Sequence, residues 1–179
     1  MEPTESKREC WAVGFGNSIG QERMVAAGYD NGEIKVWDLR QMKLIWETSV
    51  DNGVCWIEWD RQNIKMNKLT AVTLEGWVHV WDCRNQWKES KKKVEGGTST
   101  VWVGKHCPDN RDILLTGSGG GLLSIWREGT DEIELLQTQA LAEQPVCALD
   151  WCPDKKGLVA TASFDQRLRI VIITKLKNV

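Results

Sequence analysis

The sequence predicts an all-β fold built from four similar units, because two markers recur along the chain with nearly the same period. The first marker is a residue near the end of a predicted strand, and it recurs with spacings of 44, 45 and 45 residues at Trp37, Trp81, Trp126 and Val171. The second marker is the last residue of an earlier predicted strand in each unit, and it recurs with spacings of 44, 47 and 45 residues at Phe15, Trp59, His106 and Trp151. Two independent markers that share a period indicate an internal structural repeat.

Each unit contains three short runs with strand character, and turn signals separate these runs. In the first unit they are CWAVGF (Cys10 to Phe15), the small-residue run MVAAG (Met24 to Gly28) and GEIKVWD (Gly32 to Asp38). Further strands are predicted at Lys43 to Thr48 and Ile133 to Thr138. We therefore predict a polar N-terminal segment at residues 1–9 and repeat units at about 10–50, 53–95, 99–140 and 144–179.

Four strands in a unit of this length are the signature of a β-propeller blade. One blade cannot cover both of its faces, so neighbouring blades must stack to bury the Trp and aliphatic side chains. From Cys10 to Ile173 the repeat resembles the WD-repeat family, which implies that Trp37, Trp81 and Trp126 pack between blades. No unit opens with the family's Gly-His pair, and only two units end in Trp-Asp. These departures put the family's buried Ser/Thr-His-Asp network in question.

The four units predict only part of a ring. After the third strand of the last unit, residues 174–179 (TKLKNV) contain no recognisable fourth strand, and residues 1–9 are polar and include Pro3. We expect the chain to form part of a seven-bladed propeller, which needs about 310 residues at this period. A truncated isoform, an incomplete gene product and a half propeller that completes itself by pairing all fit this expectation.

The composition of the chain excludes some classes of function. The 23 Lys and Arg and 25 Asp and Glu residues give a net charge of −2, which argues against a general nucleic-acid binder. Residues 1–9 have no apolar signal core, so nothing there marks the chain for secretion. The six cysteines form no C-x-x-C pair and are expected to be free and mostly buried thiols.

Motifs for catalysis, metal and phosphate binding are also missing from the sequence. The glycine run from Gly117 to Gly121 lacks the ending of a phosphate-binding loop and is expected to form a turn. His79, His106 and Cys107 do not have metal-ligand spacing. We therefore expect neither an enzyme nor a cofactor or metal site.

Longer strings resemble one branch of the WD-repeat family. AGYDNGEIKVWDLR (Ala27 to Arg40), MNKLTAVTLEG (Met66 to Gly76) and SFDQRLRIVIITKLKN (Ser163 to Asn178) are similar to the C-terminal half of the Monad-type proteins, which are axonemal dynein assembly factors. This resemblance implies a cytoplasmic, non-catalytic adaptor. It also implies two partners, a cochaperone assembly built on RuvB-like AAA+ ATPases and the axonemal dynein chains.

In WD-repeat propellers, partners most often bind the rim around the central channel. By resemblance, seven positions supply that rim: Trp11, Tyr29, Cys55, Leu74, Trp102, Cys147 and Phe164. Exposed Trp and Tyr are typical interface anchors, although the same side chains could instead pack between blades.

Two other functions stay open. One is a substrate-receptor propeller of another complex, such as a ubiquitin ligase. The other is an RNA-binding propeller that uses the basic run from Lys88 to Lys93, which we otherwise expect to be a solvated loop between blades.

Overall fold

The predicted all-β propeller architecture is confirmed. The structure is a computed structural model that describes residues 8–16, 23–61, 65–94, 99–129, 132–174 and 176. Within these residues four antiparallel sheets follow one another along the chain, and each sheet is one blade. Most of the predicted N-terminal segment, residues 1–7, and most of the last six residues, 175 and 177–179, lie outside the described part.

Three of the blades have four strands, and the fourth has three strands in its described residues. Blade 1 contains β1 (Cys10–Phe15), β2 (Met24–Tyr29), β3 (Glu33–Asp38) and β4 (Lys43–Ser49). Blade 2 contains β5 (Val54–Trp59), β6 (Lys68–Thr73), β7 (Trp77–Asp82) and β8 (Lys88–Lys93). Blade 3 contains β9 (Val101–Cys107), β10 (Asn110–Ser118), β11 (Leu122–Glu128) and β12 (Ile133–Ala140). Blade 4 contains β13 (Val146–Trp151), β14 (Leu158–Ser163) and β15 (Arg167–Ile172).

The blades stack through their first strands. β1 packs on β5, β5 packs on β9, and β9 packs on β13. Within the described residues, no comparable packing joins blade 4 to blade 1. The four blades therefore form an open array.

The core lies between the blades, in three clusters of aliphatic and Trp side chains. Trp59 and Trp126 are fully buried, and each satisfies its indole N–H: Trp59 Nε1 donates to the Gly14 carbonyl at 3.1 Å and Trp126 Nε1 donates to Thr116 Oγ1 at 2.8 Å. Trp151 Nε1 likewise donates to the Lys105 carbonyl of the preceding blade at 3.1 Å. The indoles thus provide buried apolar area, and those of Trp59 and Trp151 also donate hydrogen bonds to the preceding blade.

The predicted fourth strands of blades 1 and 3 are present as β4 and β12. The expectation of a loop at Lys88 to Lys93 is wrong, because these residues form β8, which pairs with β7 along its whole length. Lysines are tolerated there because β8 is the outer strand of its sheet, where charged side chains stay in water and discourage pairing with other chains.

Candidate partner-binding rim

A β-bulge recurs at the start of each first strand. Cys10 pairs with Tyr29 and Ala12 with Gly28, so Trp11 is the extra residue between two paired positions. The same irregularity in β5, β9 and β13 leaves three more residues unpaired: Cys55, Trp102 and Cys147. A bulge redirects the side chain of its extra residue. The repeat therefore gives four predicted rim residues the same backbone setting.

In every blade, an equivalent backbone hydrogen bond joins the turn after the second strand to the start of the first strand. The amides of Asp30, Leu74, Gly119 and Phe164 each donate to the carbonyl of a residue just before the first strand, at 2.9, 3.0, 2.7 and 3.0 Å respectively. Since the blades share one register and their first strands pack side by side, these residues and the bulge residues lie at the same end of the array.

Three of the seven predicted residues come together around Gly53. Trp11 lies against this glycine, because a Cβ added there would be 2.5 Å from Trp11 Cζ3 and 3.1 Å from Leu74 Cδ1. Trp11 is 44% exposed, and its Nε1 donates to Glu9 Oε2 at 3.0 Å. Burial raises the pKa of the Cys55 thiol, which also borders Gly53, to about 11. This thiol is therefore a packing group rather than a nucleophile.

The remaining bulge residues lie on blades 3 and 4. Trp102 is 37% exposed, and its indole nitrogen lies beside Gly119, which leaves room for the ring. Cys147 is half-buried, and its thiol contacts the Ala162 carbonyl at 3.5 Å. Phe164 is exposed at the turn after β14. Trp11, Trp102 and Phe164 are thus exposed large apolar side chains at this end of the array.

Tyr29 occupies a different position from Leu74 and Phe164. It pairs with Cys10 and is therefore equivalent to Thr73, whereas Asp30 is the equivalent of Leu74. Asp30 Oδ1 accepts a hydrogen bond from the Glu9 amide at 3.2 Å. Asp30 belongs to the rim and was missed by the sequence analysis. Its spacing of two residues before Gly32, which matches the spacing of Leu74 before Gly76, is the signal that identifies it.

Blades 2 and 3 enclose a buried polar cluster that the sequence analysis also missed. Glu128 Oε1 accepts hydrogen bonds from His106 Nε2 at 3.1 Å and Thr70 Oγ1 at 3.0 Å, and Oε2 lies 2.9 Å from Lys68 Nζ. Glu58 Oε2 accepts from the backbone amide and Nδ1 of His106 at 2.9 and 3.2 Å. This cluster has a different residue set from the Ser/Thr-His-Asp network that the sequence put in question.

The charges in this cluster stabilise one another. Burial by itself lowers the pKa of His106, but the Glu128 and Glu58 carboxylates outweigh it and raise the pKa to about 10. Burial raises the pKa of Glu128, but His106 and Lys68 outweigh it and lower the pKa to about 2. His106 is therefore a cation at neutral pH, and both of its ring nitrogens donate. It has no lone pair with which to act as a base or as a metal ligand.

The other predicted polar groups are also structural. His79 Nδ1 lies 2.7 Å from Glu89 Oε1, and burial lowers the pKa of His79 against the effect of this carboxylate. The described residues hold no group of three or more His, Cys, Asp or Glu side chains that could bind a metal ion. The six cysteines are free, as expected, but only Cys107 is buried. The expectation of mostly buried thiols is wrong, because Cys10 is exposed and four others are only half-buried: Cys55, Cys83, Cys147 and Cys152.

Comparison with known proteins identifies the repeat. A family model for the WD domain, G-beta repeat, matches residues 134–171. The matched residues, which run from β12 to β15, are thus similar to a WD repeat. The chain is 46% identical over 202 residues to Dynein axonemal assembly factor 10 of Bos taurus and, over the same length, of Homo sapiens, and it covers 57% of each. It is 40% identical over 204 residues to Dynein axonemal assembly factor 10 of Chlamydomonas reinhardtii, again covering 57%.

All of this chain is covered in these three alignments, so the resemblance drawn from the sequence is confirmed. The chain spans somewhat more than half the length of these relatives. The fold is similar to a solved structure, the computationally designed Ika4 protein, with a TM-score of 0.71, 21% identity and 96% of each chain covered. Among the residues that the structure describes, no helix has the length and hydrophobicity needed to cross a membrane.

Proposed function

We propose that this WD-repeat protein is a non-catalytic scaffold for axonemal dynein arm assembly in the cytoplasm, and that its rim binds a protein partner. The observation that carries the rim proposal is the repeated bulge, which presents Trp11 and Trp102 to solvent from equivalent positions of two blades. The dynein role is supported by the identity, along the whole chain, to proteins named Dynein axonemal assembly factor 10.

The mechanism is bridging. One surface of the array holds a cochaperone assembly of RuvB-like AAA+ ATPases, and the rim contacts an axonemal dynein chain. Trp side chains supply large contact areas at low entropic cost and commonly dominate interface energetics. Trp11 is already held by Gly53 and Glu9, so little freedom is lost when a partner covers it.

A substrate receptor for another complex uses the same rim and differs only in its partner. RNA binding is a second candidate, because β8 presents lysines beside the aromatic ring of Trp77. However, Lys91 Nζ and Lys93 Nζ lie 5.4 and 5.8 Å from the centroid of this ring and occupy the surface on which a base would stack. The arrangement therefore favours a protein partner, and a steep salt dependence of binding would instead support RNA.

Affinity capture from an extract of ciliated cells, with mass spectrometry, tests the proposal. The wild-type chain is compared with Trp102→Ala and with Met42→Ala, a control in an exposed turn of blade 1. We expect RuvB-like ATPases or axonemal dynein heavy chains with the wild type and the control. Trp102→Ala should recover about tenfold less of the rim partner. Recovery of general chaperones alone contradicts the dynein role, and equal recovery by a folded Trp102→Ala variant contradicts the rim site.

A further inference from the structure

The outer strand of blade 2, β8, carries an excess of positive charge. Its sequence KESKKK contains four Lys and one Glu. The outer strands of blades 1 and 3, which are KLIWETS in β4 and IELLQTQA in β12, together contain one Lys and two Glu. A basic outer strand is therefore a property of blade 2 and not of the repeat. Blades 1 and 3 flank blade 2, so β8 stays on the outer side of the array whatever lies beyond blades 1 and 4.

One edge of β8 has no strand beside it in the described part of the chain. β8 is the last strand of its sheet and pairs with β7. The amide of Val94, directly after β8, donates to the Gly76 carbonyl at 2.8 Å. Because alternate residues of an antiparallel strand direct both backbone groups to the same neighbour, Lys91 and Lys93 direct theirs away from β7. The outer edge of β8 therefore offers amide and carbonyl groups to a further strand.

Exposed lysine side chains stand on both faces of this edge. Lys91 Nζ and Lys93 Nζ lie 5.4 and 5.8 Å from the centroid of the Trp77 ring, which places both on one face. Successive side chains of a strand alternate between faces, so Lys92 lies on the other face. The carboxylate of Glu89, the one acidic residue of the strand, is engaged at 2.7 Å by a histidine of β7. A strand placed beside β8 would therefore meet ammonium groups on both of its faces.

We propose that β8 binds an acidic segment of a partner protein, which adds a strand to the four of blade 2. Opposite charges on neighbouring strands attract, and like charges repel. The lysines therefore repel the β8 strand of another copy and admit a strand that carries Asp or Glu. RNA fits this edge less well, because two lysines cover the Trp77 ring and RNA has no strand backbone to pair with β8. The site is separate from the rim, whose residues belong to the first strands and the turns beside them.

Fluorescence anisotropy with the complete 179-residue chain tests this proposal. The probe is a labelled peptide of about eight residues that alternates Glu and Val, in which Val favours an extended strand. We expect saturable binding to the wild-type chain that weakens as salt is added. Lys91→Glu and Lys92→Glu should each weaken binding at least about threefold, and the double variant should weaken it about tenfold. Lys43→Glu makes the same charge change at an exposed position of β4 and should leave binding unchanged.

Two altered probes separate the contribution of charge from that of backbone pairing, and they are measured on the wild-type chain. One probe has Gln in place of Glu. The other keeps its charge but is N-methylated at two adjacent central residues, which blocks both of its edges. Each should bind at least about tenfold more weakly than the original probe.

Three results would overturn the proposal or a part of it. Absence of binding by the original probe, or equal binding by the Gln probe, overturns the acidic site. Equal binding by the N-methylated probe overturns strand addition. Tighter binding of a uridine oligonucleotide of the same charge overturns the choice of a protein partner. Circular dichroism checks that the variants are folded, which is expected because Lys91 and Lys92 are exposed.

Discussion

Glu128→Gln is expected to destabilise the folded protein by about 3 kcal/mol, because it removes the buried carboxylate that both His106 and Lys68 face. The Glu128 side chain is completely buried between blades 2 and 3, where it faces His106, Thr70 and Lys68. Glutamine has nearly the same shape, but its single amide oxygen can accept from only part of this donor set. Its NH2 group must also point at a donor. Breaking a buried ion pair by removing one partner typically costs about 3–5 kcal/mol. We expect the lower end because His106 can lose its proton when Glu128 is neutral.

Urea unfolding at neutral pH, followed by circular dichroism and Trp fluorescence, measures the loss. Glu134→Gln is the matched control, since Glu134 pairs with Arg127 on the neighbouring strand and both side chains are exposed. An exposed pair contributes less than about 1 kcal/mol, so the control should shift the midpoint only slightly. A loss for Glu128→Gln no greater than that of Glu134→Gln would refute the stabilising role of the cluster.

The same cluster predicts a pH dependence of the free energy of unfolding. The pKa of His106 is raised from 6.5 to about 10, so its contribution is complete below pH 6.5 and is lost as the pH rises towards 10. The pKa of Glu128 is lowered from 4.5 to about 2, so its contribution is complete above pH 4.5 and is lost as the pH falls towards 2. The alkaline loss of stability should be smaller in Glu128→Gln. Equal alkaline slopes in the two proteins would contradict this assignment.

Three further changes can be measured by the same urea titration. Gly121→Ala should lower the free energy of unfolding by more than about 1 kcal/mol, because Gly121 has a φ of +74° and an added Cβ would lie 1.9 Å from the Ala142 carbonyl oxygen. An unchanged unfolding midpoint would exclude this backbone conformation. Gln166→Gly should be neutral or stabilise by up to about 1 kcal/mol, because Gln166 holds the equivalent turn position with a φ of 65°; a clear loss would mean that the Gln166 side chain makes a stabilising contact. Trp151→Phe should lower the free energy of unfolding by about 1–2 kcal/mol, because it removes the hydrogen bond to the Lys105 carbonyl. A loss no larger than that of an exposed substitution would contradict this role of the indole.

The repeat made the architecture predictable from the sequence. Trp59 and Trp151 recur at the end of the first strand, and Trp81 and Trp126 recur in the third strand, because each blade needs bulky side chains to fill the space against its neighbour. The spacing of these residues along the sequence therefore equals the length of one blade. The start of each first strand was also predictable, because Trp11 and Trp102 stand at equivalent places in the repeat.

Other features depend on contacts that no local pattern contains. Lys68, His106 and Glu128 lie on three different strands of two blades, and only blade packing brings them together. β8 was missed because lysines are poor strand residues, and pairing with β7 decides its conformation. The position of Tyr29 was assigned one residue too early, because the spacing of Leu74 before Gly76 leads to Asp30 before Gly32.

The most direct test of the proposed scaffold function is a binding measurement with purified components. The chain is immobilised and titrated with a RuvB-like AAA+ assembly and, separately, with an axonemal dynein heavy-chain fragment, using the wild type, Trp102→Ala and Met42→Ala. We expect the wild type and Met42→Ala to bind with equal affinity, and we expect Trp102→Ala to weaken binding of one partner about tenfold or more. Failure of the folded wild-type chain to bind either partner would contradict the scaffold function.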